Sequence, residues 1–227
     1  KRSPKGVMAT TQICNLYLIR HGQTDFNKQQ KFQGRGIDAS LNARGKAQAR
    51  AIARDFQERG IVLDYMFCSS LKRTMATAEP LAIQQSLRVE AAGELDEMDF
   101  GQLEGTYVKD HGPLLEELQR EWSSGNVQHS VPGGEHPEEV YARANAFVRG
   151  VLSKVFAASS HRTMKPLEIA FFIHGRLLRI LLSEWLGLGL ANMHKIEHNN
   201  GAINHIEIDG HHFKAIECNR TLHLIDS

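Results

Sequence analysis

The sequence has 227 residues, with 27 basic and 26 acidic side chains and a formal net charge of +1 at pH 7. A balance this close to neutral does not favour binding to nucleic acids or to anionic membrane surfaces, and no apolar run approaches the length of a membrane span. Hydrophobic residues make up 41% of the chain, which is enough for a sizeable core. The three cysteines have no metal-ligand spacing, so we expect free thiols and a cytoplasmic location.

Strand-like and helix-like segments alternate along most of the chain. Residues 1–12 are expected to form a disordered tail, and residues 13–227 a single domain. The predicted elements, in chain order, are a strand at Cys14–Ile19, a helix at Ala43–Glu58, a strand at Asp64–Cys68, a helix at Ser69–Ser86, a short strand at Arg88–Ala91, helices at Leu114–Trp122 and Pro137–Val155, a strand at Leu167–Ile173, a helix at Leu177–Leu186 and a hairpin of strands Ile203–Asp209 and Phe213–Cys218.

Cap and loop residues between these segments support the predicted alternation of strands and helices. Ser69 or Ser70 is a candidate cap for the helix that follows the second strand. The segment Ser123–His136 is rich in Gly, Ser and Pro and is predicted to be a loop. The alternation predicts an α/β fold, a three-layer sandwich with a mostly parallel central sheet and helices on both faces.

Two of the predicted strands end in a histidine and a glycine. The first ends in Arg20 and His21, and the strongest strand ends in His174 and Gly175. Arg73 lies in the first turn of the helix after another strand. Open α/β sheets bind ligands beyond the carboxyl ends of their strands, so these cation-capable groups are expected to converge on a dianion such as a phosphoryl group. A neutral imidazole can also attack phosphorus.

Five segments in a fixed order resemble the histidine phosphatase superfamily, also called phosphoglycerate mutase-like. They are Leu18–Asn27 (LIRHGQTDFN), Cys68–Ala78 (CSSLKRTMATA), Glu94–Gly105 (ELDEMDFGQLEG), Pro132–Glu135 (PGGE) and Ile173–Gly175 (IHG). The resemblance implies that His21 is the phosphorylated nucleophile and that Glu97 is the proton donor. It also implies that Arg20, Arg73 and a protonated His174 form the phosphate pocket.

The same resemblance implies further contacts to substrate from Thr24, Asn27, Gln33, Gly34 and Gly175. It implies no metal ion and no cofactor, because fixed cations take the place of a metal. Spacing alone would not select Glu97 as the acid, since other carboxylates crowd the same segment. These alternatives are Glu94, Asp96, Asp99 and Glu104.

The residues around the pocket distinguish members of this family. Phosphoglycerate mutases carry Arg-His-Tyr directly after the acid and usually a tryptophan where this chain has Phe26. Here Glu97 is followed by Met98, Asp99 and Phe100, which resembles α-ribazole-phosphatase-like and broad-specificity phosphatase members. The segments LNARGKAQA and SSLKRTMATAE also resemble the fructose-2,6-bisphosphatase branch.

Between positions 99 and 132 the cations are Lys109 and Arg120, together with two histidines, so a substrate with several negative charges is expected to find too few partners. The resulting hypothesis is a metal-independent phosphomonoesterase that acts through a phosphohistidine on a small phosphorylated metabolite. A cofactor-dependent phosphoglycerate mutase is the alternative, and a catalytically weak binding protein on the same fold is the third. The expected partner is that metabolite, with a homodimer possible and no nucleic acid or membrane.

Two histidines near the C-terminus allow two interpretations. His194 and His198 stand four residues apart, which suits a metal on a helix. No cysteine or carboxylate pattern completes a ligand set, so a pair of exposed histidines is preferred over a zinc site. Ile173 departs from the serine or threonine that the family usually has before His174.

Overall fold

The computed structural model describes residues 13–159, 165–210 and 212–225. The predicted tail at 1–12 and His211 of the predicted hairpin lie outside the described residues. No helix within the described part is long and apolar enough to cross a membrane.

A six-stranded sheet runs through the centre of the protein in the order β3-β2-β4-β1-β5-β6. The first four strands of that order are parallel, whereas β5 and β6 run antiparallel to their neighbours. The strands are β1 (Ile13–Arg20), β2 (Tyr65–Ser69), β3 (Val89–Ala92), β4 (Leu167–Ile173), β5 (Ile203–Asp209) and β6 (His212–Arg220).

The central strands are buried on both faces, and their residues alternate between two cores. Leu16 and Leu18 of β1 belong to the larger core, while Tyr17 and Ile19 belong to the smaller one. Strand side chains point to opposite faces in turn, so a nearly continuous apolar run is what a doubly covered parallel strand requires.

Helices cover both faces of this sheet. α2 and α3 pack on the smaller core through Phe56 and Leu81, and α5 and α6 pack on the larger core through Val148 and Leu181. The helices are α1 (Asp25–Lys28), α2 (Ala43–Glu58), α3 (Lys72–Gln85), α4 (Gly112–Ser123), α5 (Pro137–Ser159) and α6 (Gly175–Trp185).

The predicted α/β sandwich with a mostly parallel sheet is confirmed, and most element boundaries agree within a few residues. The predicted cap of α3 is wrong. Ser69 ends β2 and α3 begins only at Lys72, with Leu71 at its cap position and no side-chain cap bond. The hydroxyl groups of Ser69 and Ser70 instead bond to Asp96. The two serines therefore contact Asp96, which is distant in the sequence, and do not cap α3.

The turn after β1 packs directly against the start of α2. A Cβ atom added to Gly22 would lie 2.5 Å from the carbonyl oxygen of Gly45, and one added to Gly45 would overlap the carbonyl oxygen of Gln23. Both glycines are therefore required by the close approach of two backbone segments. This contact fixes the segment that follows His21.

We expect Gly45→Ala to lower the free energy of unfolding by about 1–3 kcal/mol, because the new methyl group overlaps backbone that cannot move freely. The matched control is Gly150→Ala in α5, where an added Cβ meets nothing within 4 Å. That change should raise the free energy by about 0.5–1 kcal/mol through helix propensity alone. Urea unfolding of both variants makes the comparison, and a stabilised Gly45→Ala protein would contradict the packing argument.

Candidate active site

Parallel pairing of β1 with β4 brings two histidines together at the carboxyl edge of the sheet. Arg20 is paired with Ile173, and the backbone N–H of His21 donates to the Ile173 carbonyl at 3.0 Å. The ring centroids of His21 and His174 are 5.2 Å apart. Only 3% of His21 and none of His174 is exposed, so the two rings form the floor of a buried site.

The ring of His21 has a defined tautomer. Its Nδ1 lies 2.7 Å from the carbonyl oxygen of Gly22, which can only accept, so Nδ1 carries the proton. Burial, followed by the positive charges of Arg73 and Arg20, holds the pKa of His21 well below its usual value. The ring is therefore neutral, with its lone pair on Nε2. This is the state that a nucleophilic imidazole needs.

His174 is held between Arg73 and Ser69. Its Nδ1 accepts from Arg73 Nε at 3.2 Å, so its neutral ring carries the proton on Nε2, 2.8 Å from Ser69 Oγ. Ser69 Oγ in turn donates to Asp96 at 2.8 Å. Burial and the charge of Arg73 hold the pKa of His174 well below 6.5. The ring is thus neutral in the free protein, because it is buried beside arginine charges, and its protonation with a phosphoryl group bound stays a prediction.

Ile173 packs in the larger core, so its side chain does not take part in this arrangement. The hydroxyl group beside His174 comes from Ser69 at the end of β2.

Arg73 is fully buried, and its guanidinium donates hydrogen bonds to the loop that precedes α2. Its Nη1 donates to the Ile37 carbonyl at 2.6 Å and its Nη2 donates to the Gly34 carbonyl at 3.1 Å. The amide of Gln33 lies against the guanidinium and against Thr24, and its oxygen, when turned to Arg73, lies 2.8 Å from Nε. Gly34 therefore contributes a carbonyl group. An added Cβ at Gly34 would lie 2.6 Å from the carbonyl oxygen of Met98.

Arg20 is held by His198, a residue whose place in the site the sequence interpretation missed. Arg20 Nη1 bonds to His198 Nδ1 at 2.8 Å and to its carbonyl oxygen at 3.0 Å. The expected pair of exposed histidines is thus half wrong, since His194 is exposed but His198 is half-buried. Arg20 Nε is buried without a hydrogen-bond partner. It lies 3.1 Å from where a Cβ on Gly175 would be, so a larger residue there would crowd it.

Thr24 and Asn27 form the cap of the short helix α1. The N–H of Asn27 donates to Thr24 Oγ1 at 3.2 Å, and the N–H of Thr24 donates to Asn27 Oδ1 at 3.1 Å. Asn27 Oδ1 also accepts from Asn200, whose amide donates to the His21 carbonyl at 3.1 Å. Because the amide oxygen of Asn27 is engaged, the residue can offer only its NH₂ group to a ligand.

The side chain of Glu97 is buried against the N-terminus of α6. Its Oε1 accepts from the N–H groups of Met98 and Leu177, both at 2.9 Å, and its Oε2 accepts from the N–H of Arg176 at 3.0 Å. A helix N-terminus presents unpaired N–H groups and favours a carboxylate there. The negative charge of Glu97 also acts on Arg20 and Arg73.

The alternative carboxylates near Glu97 have other surroundings. Glu94 is exposed, Asp96 accepts from the two serines, Asp99 accepts from the Gly101 N–H, and Glu104 accepts from the N–H of Gly36. Glu97 is therefore the carboxylate of this segment that the fold places against α6 and the buried arginines.

A second element positions Glu97 from the opposite side. Arg143 of α5 donates to the backbone carbonyls of Glu94, Asp96 and Glu97 at 2.7, 2.9 and 3.1 Å. It is fixed by Glu135, with two nitrogen–oxygen distances of 2.8 Å. The PGGE segment thus supplies Glu135, which orients Arg143. Arg143 in turn acts as a clamp, because it holds the backbone of the Glu97 loop through three hydrogen bonds. Neither Arg143 nor Glu135 was assigned a role from sequence.

Two further arginines were missed. Arg176 and Arg179 lie one turn apart on α6, and the positive charges of both lie close enough to Glu97 to interact with it. The expectation that a polyanionic substrate would meet too few cations considered only positions 99–132, and it stays a prediction. The cations come from the helix that follows His174. Their spacing after the His-Gly pair was visible in the sequence, but nothing there showed which way they faced.

The arrangement combines a neutral, buried imidazole with four nearby arginines and one carboxylate. It can bind a dianion and attack it, with an acid available for the leaving group. Among the described residues, no group of three or more His, Cys, Asp or Glu side chains is placed to hold a metal ion.

The pH dependence of stability tests the burial of His198. Burial and the charges of Arg20 and Arg179 lower the pKa of His198 to about 2. The unfolded chain protonates this residue below pH of about 6.5, whereas the folded protein does not, so stability is full above that pH and falls as the pH falls. His198→Gln should remove a slope of up to about 1.4 kcal/mol per pH unit between about pH 6 and pH 4. Chemical unfolding at several pH values measures this slope. His194→Gln is the exposed control and should keep the wild-type slope; equal slopes in all three proteins would contradict the prediction.

The sequence of this chain is similar to a protein family and to individual relatives. Residues 16–221 match the model of the histidine phosphatase superfamily (branch 1). The protein named "Putative phosphoserine phosphatase 2" from Hydrogenobacter thermophilus is 30% identical over 208 residues, 92% of this chain and 96% of that one. "Probable phosphoglycerate mutase GpmB" from Shigella boydii serotype 18 is 29% identical over 195 residues, 86% of this chain and 85% of that one.

A solved structure of mycobacterial glucosyl-3-phosphoglycerate phosphatase has the same fold. It has a TM-score of 0.77 and 25% sequence identity, and the match covers 91% of this chain and 98% of that chain. Since the family model spans both histidine-bearing strands and nearly all of the described residues, the chain belongs to the histidine phosphatase superfamily.

Proposed function

We propose that the protein is a metal-independent phosphomonoesterase that forms a phosphohistidine at His21 and acts on a small phosphorylated metabolite. The observation that carries this proposal is the neutral His21, whose proton is fixed on Nδ1 by Gly22 while the charges of the buried Arg73 and the half-buried Arg20 act on its ring. Relatives named as phosphatases of phosphoserine and of glucosyl-3-phosphoglycerate support phosphoric monoester hydrolysis.

The first half of the reaction transfers the phosphoryl group to the protein. A bond forms between His21 Nε2 and phosphorus while the bond from phosphorus to the ester oxygen breaks. Glu97, protonated in the complex with substrate, gives its proton to that oxygen and becomes a carboxylate. Arg20, Arg73 and His174 bind the phosphoryl oxygens, and Asn27, Gln33 and Thr24 complete the pocket wall. Fixed positive charges in a buried site stabilise the charge of the transition state.

The second half returns the protein to its starting state. Glu97 takes a proton from water, the water oxygen bonds to phosphorus, and the bond between nitrogen and phosphorus breaks to release inorganic phosphate. The clamp formed by Arg143 keeps the Glu97 loop in place for both steps. General acid–base help of this kind contributes about 10²–10⁴ in rate.

Metal independence is inferred from the charges of the pocket. Arg20 and Arg73 together balance the two charges of a phosphoryl dianion, which is the task a divalent cation would otherwise have. Activity that survives chelation would support this inference.

The mutase is the second candidate, and the GpmB relative favours it. Met98 and Asp99 occupy the positions where the mutases have Arg-His, so the acceptor glycerate loses that partner. We therefore favour water as the acceptor.

We expect His21→Ala to reduce hydrolysis of phosphomonoesters to background and to abolish phosphoenzyme formation, because no neighbouring group replaces an in-line imidazole. The measurements are phosphate release with and without EDTA, and acid-labile labelling by a phosphorylated substrate. His194→Ala, an exposed histidine, is the control. Acid-labile label on His21→Ala would contradict the nucleophile. Formation of 2-phosphoglycerate from 3-phosphoglycerate faster than phosphate release from any monoester would favour the mutase, and no labelling or turnover in the wild type would favour the weak binding protein.

We expect Glu97→Gln to slow turnover of alkyl phosphates by about 10²–10⁴, because their leaving oxygen needs a proton. The loss should be smaller with p-nitrophenyl phosphate, whose leaving group needs little protonation. Steady-state kinetics with both substrates measure the difference. Glu94→Gln, an exposed carboxylate three residues earlier, should retain wild-type rates. An equal loss on both substrates would contradict the role of Glu97 as the acid.

A further inference from the structure

Helix α6 presents two arginines that the phosphoryl chemistry does not use. Arg176 and Arg179 are three residues apart, and such positions lie on the same helix face. The residues between and after them, Leu177, Leu178 and Ile180, are buried in the core. The two arginines therefore form one basic face of an otherwise apolar helix.

Arg176 lies on the side of the site where the ester's alcohol portion leaves. Its backbone N–H holds Glu97 Oε2 at 3.0 Å, and Glu97 is the proposed donor to the leaving oxygen. Its guanidinium lies 5.1 Å from the ring centroid of Trp122 in α4. A guanidinium on an indole face keeps its hydrogen-bonding edge available while its position is fixed.

Arg179 is half-buried, and its charge interacts with that of Glu97. Its Nε atom is buried and has no hydrogen-bond partner among the described residues. In the described part of the chain, neither Arg176 nor Arg179 forms a salt bridge with a carboxylate. A buried polar atom without a hydrogen-bond partner is costly, so the unpaired Nε atom of Arg179 indicates a place for an acceptor.

Charge accounting leaves room for one more negative group. Arg20 and Arg73 match a phosphoryl dianion. Glu97 must hold a proton when it acts as the acid, so in that step it does not balance the charges of the two α6 arginines. Burial and the charge of Arg179 lower the pKa of Arg176 to about 10, with Glu97 as the opposing carboxylate. The positive charges of Arg176 and Arg179 are then unbalanced beside the leaving group.

We propose that Arg176 and Arg179, with Trp122, form a subsite for a carboxylate on the alcohol portion of the substrate. This inference rests on the proposed phosphatase function and assigns its substrate class, a phosphomonoester of a hydroxy acid. The planar fork of a guanidinium pairs with a carboxylate through two hydrogen bonds, and a carboxylate on the substrate would offset part of the charge of the two arginines.

The test uses two substrates of nearly equal size, 3-phosphoglycerate and glycerol 3-phosphate, which differ in a carboxylate and a hydroxymethyl group. We expect the wild type to hydrolyse 3-phosphoglycerate with a kcat/KM at least about tenfold higher. Arg176→Gln and Arg179→Gln should each reduce this ratio by about tenfold, and Arg176→Lys should retain part of it. Arg149→Gln is the matched control, since Arg149 also stacks on an aromatic ring, 4.5 Å from the Phe213 centroid, and should leave the ratio unchanged.

A wild type that prefers glycerol 3-phosphate, or Arg176 and Arg179 variants that keep the wild-type ratio, would overturn the subsite. Calorimetric titration of both compounds into His21→Ala separates the two proposals, because it needs no turnover. Tighter binding of 3-phosphoglycerate that is lost with the added Arg176→Gln change would support the subsite even if the protein hydrolysed no ester. Equal affinity for both compounds would overturn it even if p-nitrophenyl phosphate were hydrolysed.

Discussion

The parallel register of β1 and β4 is the constraint on which the site depends. It pairs Arg20 with Ile173, and each strand then ends in a histidine at the same edge of the sheet. Both strands are buried on both faces, so a slip of one residue would exchange their apolar sets between two cores. Core packing therefore fixes the 5.2 Å separation of the rings of His21 and His174.

Buried positive charge is the second organising feature. Among the described residues no carboxylate is in direct contact with Arg20 or Arg73, and both are held by histidine nitrogens and backbone carbonyls. Burial, followed by the charges of these two arginines, lowers the pKa of His21 and of His174 and keeps both rings neutral. The same charges favour the binding of a dianion, because the dianion supplies the negative partner that these arginines lack in the free protein. Nucleophile activation and phosphate binding thus have one electrostatic origin.

Placement of the carboxylate depends on contacts between segments far apart in the chain. The carboxylate of Glu97 accepts hydrogen bonds from N–H groups in the first turn of α6, and Arg143 of α5 donates to its backbone carbonyl. Glu135 fixes Arg143 and also accepts from the Asp99 N–H at 3.0 Å. The loop that carries the acid is therefore pinned between two helices. This explains how a segment without a regular strand or long helix can present a single oriented carboxylate.

The sequence by itself determined the alternating elements, the α/β class and the two histidine-bearing strand ends, because these follow from local periodicity and glycine positions. Glu97 could be selected only through the family motif, since its neighbours are equally acidic. The tautomer of His174, the contact of His198 with Arg20 across 178 positions and the direction of Arg176 were decided by the tertiary structure alone. Each of them depends on strand register and loop packing, which bring together groups that no local pattern relates.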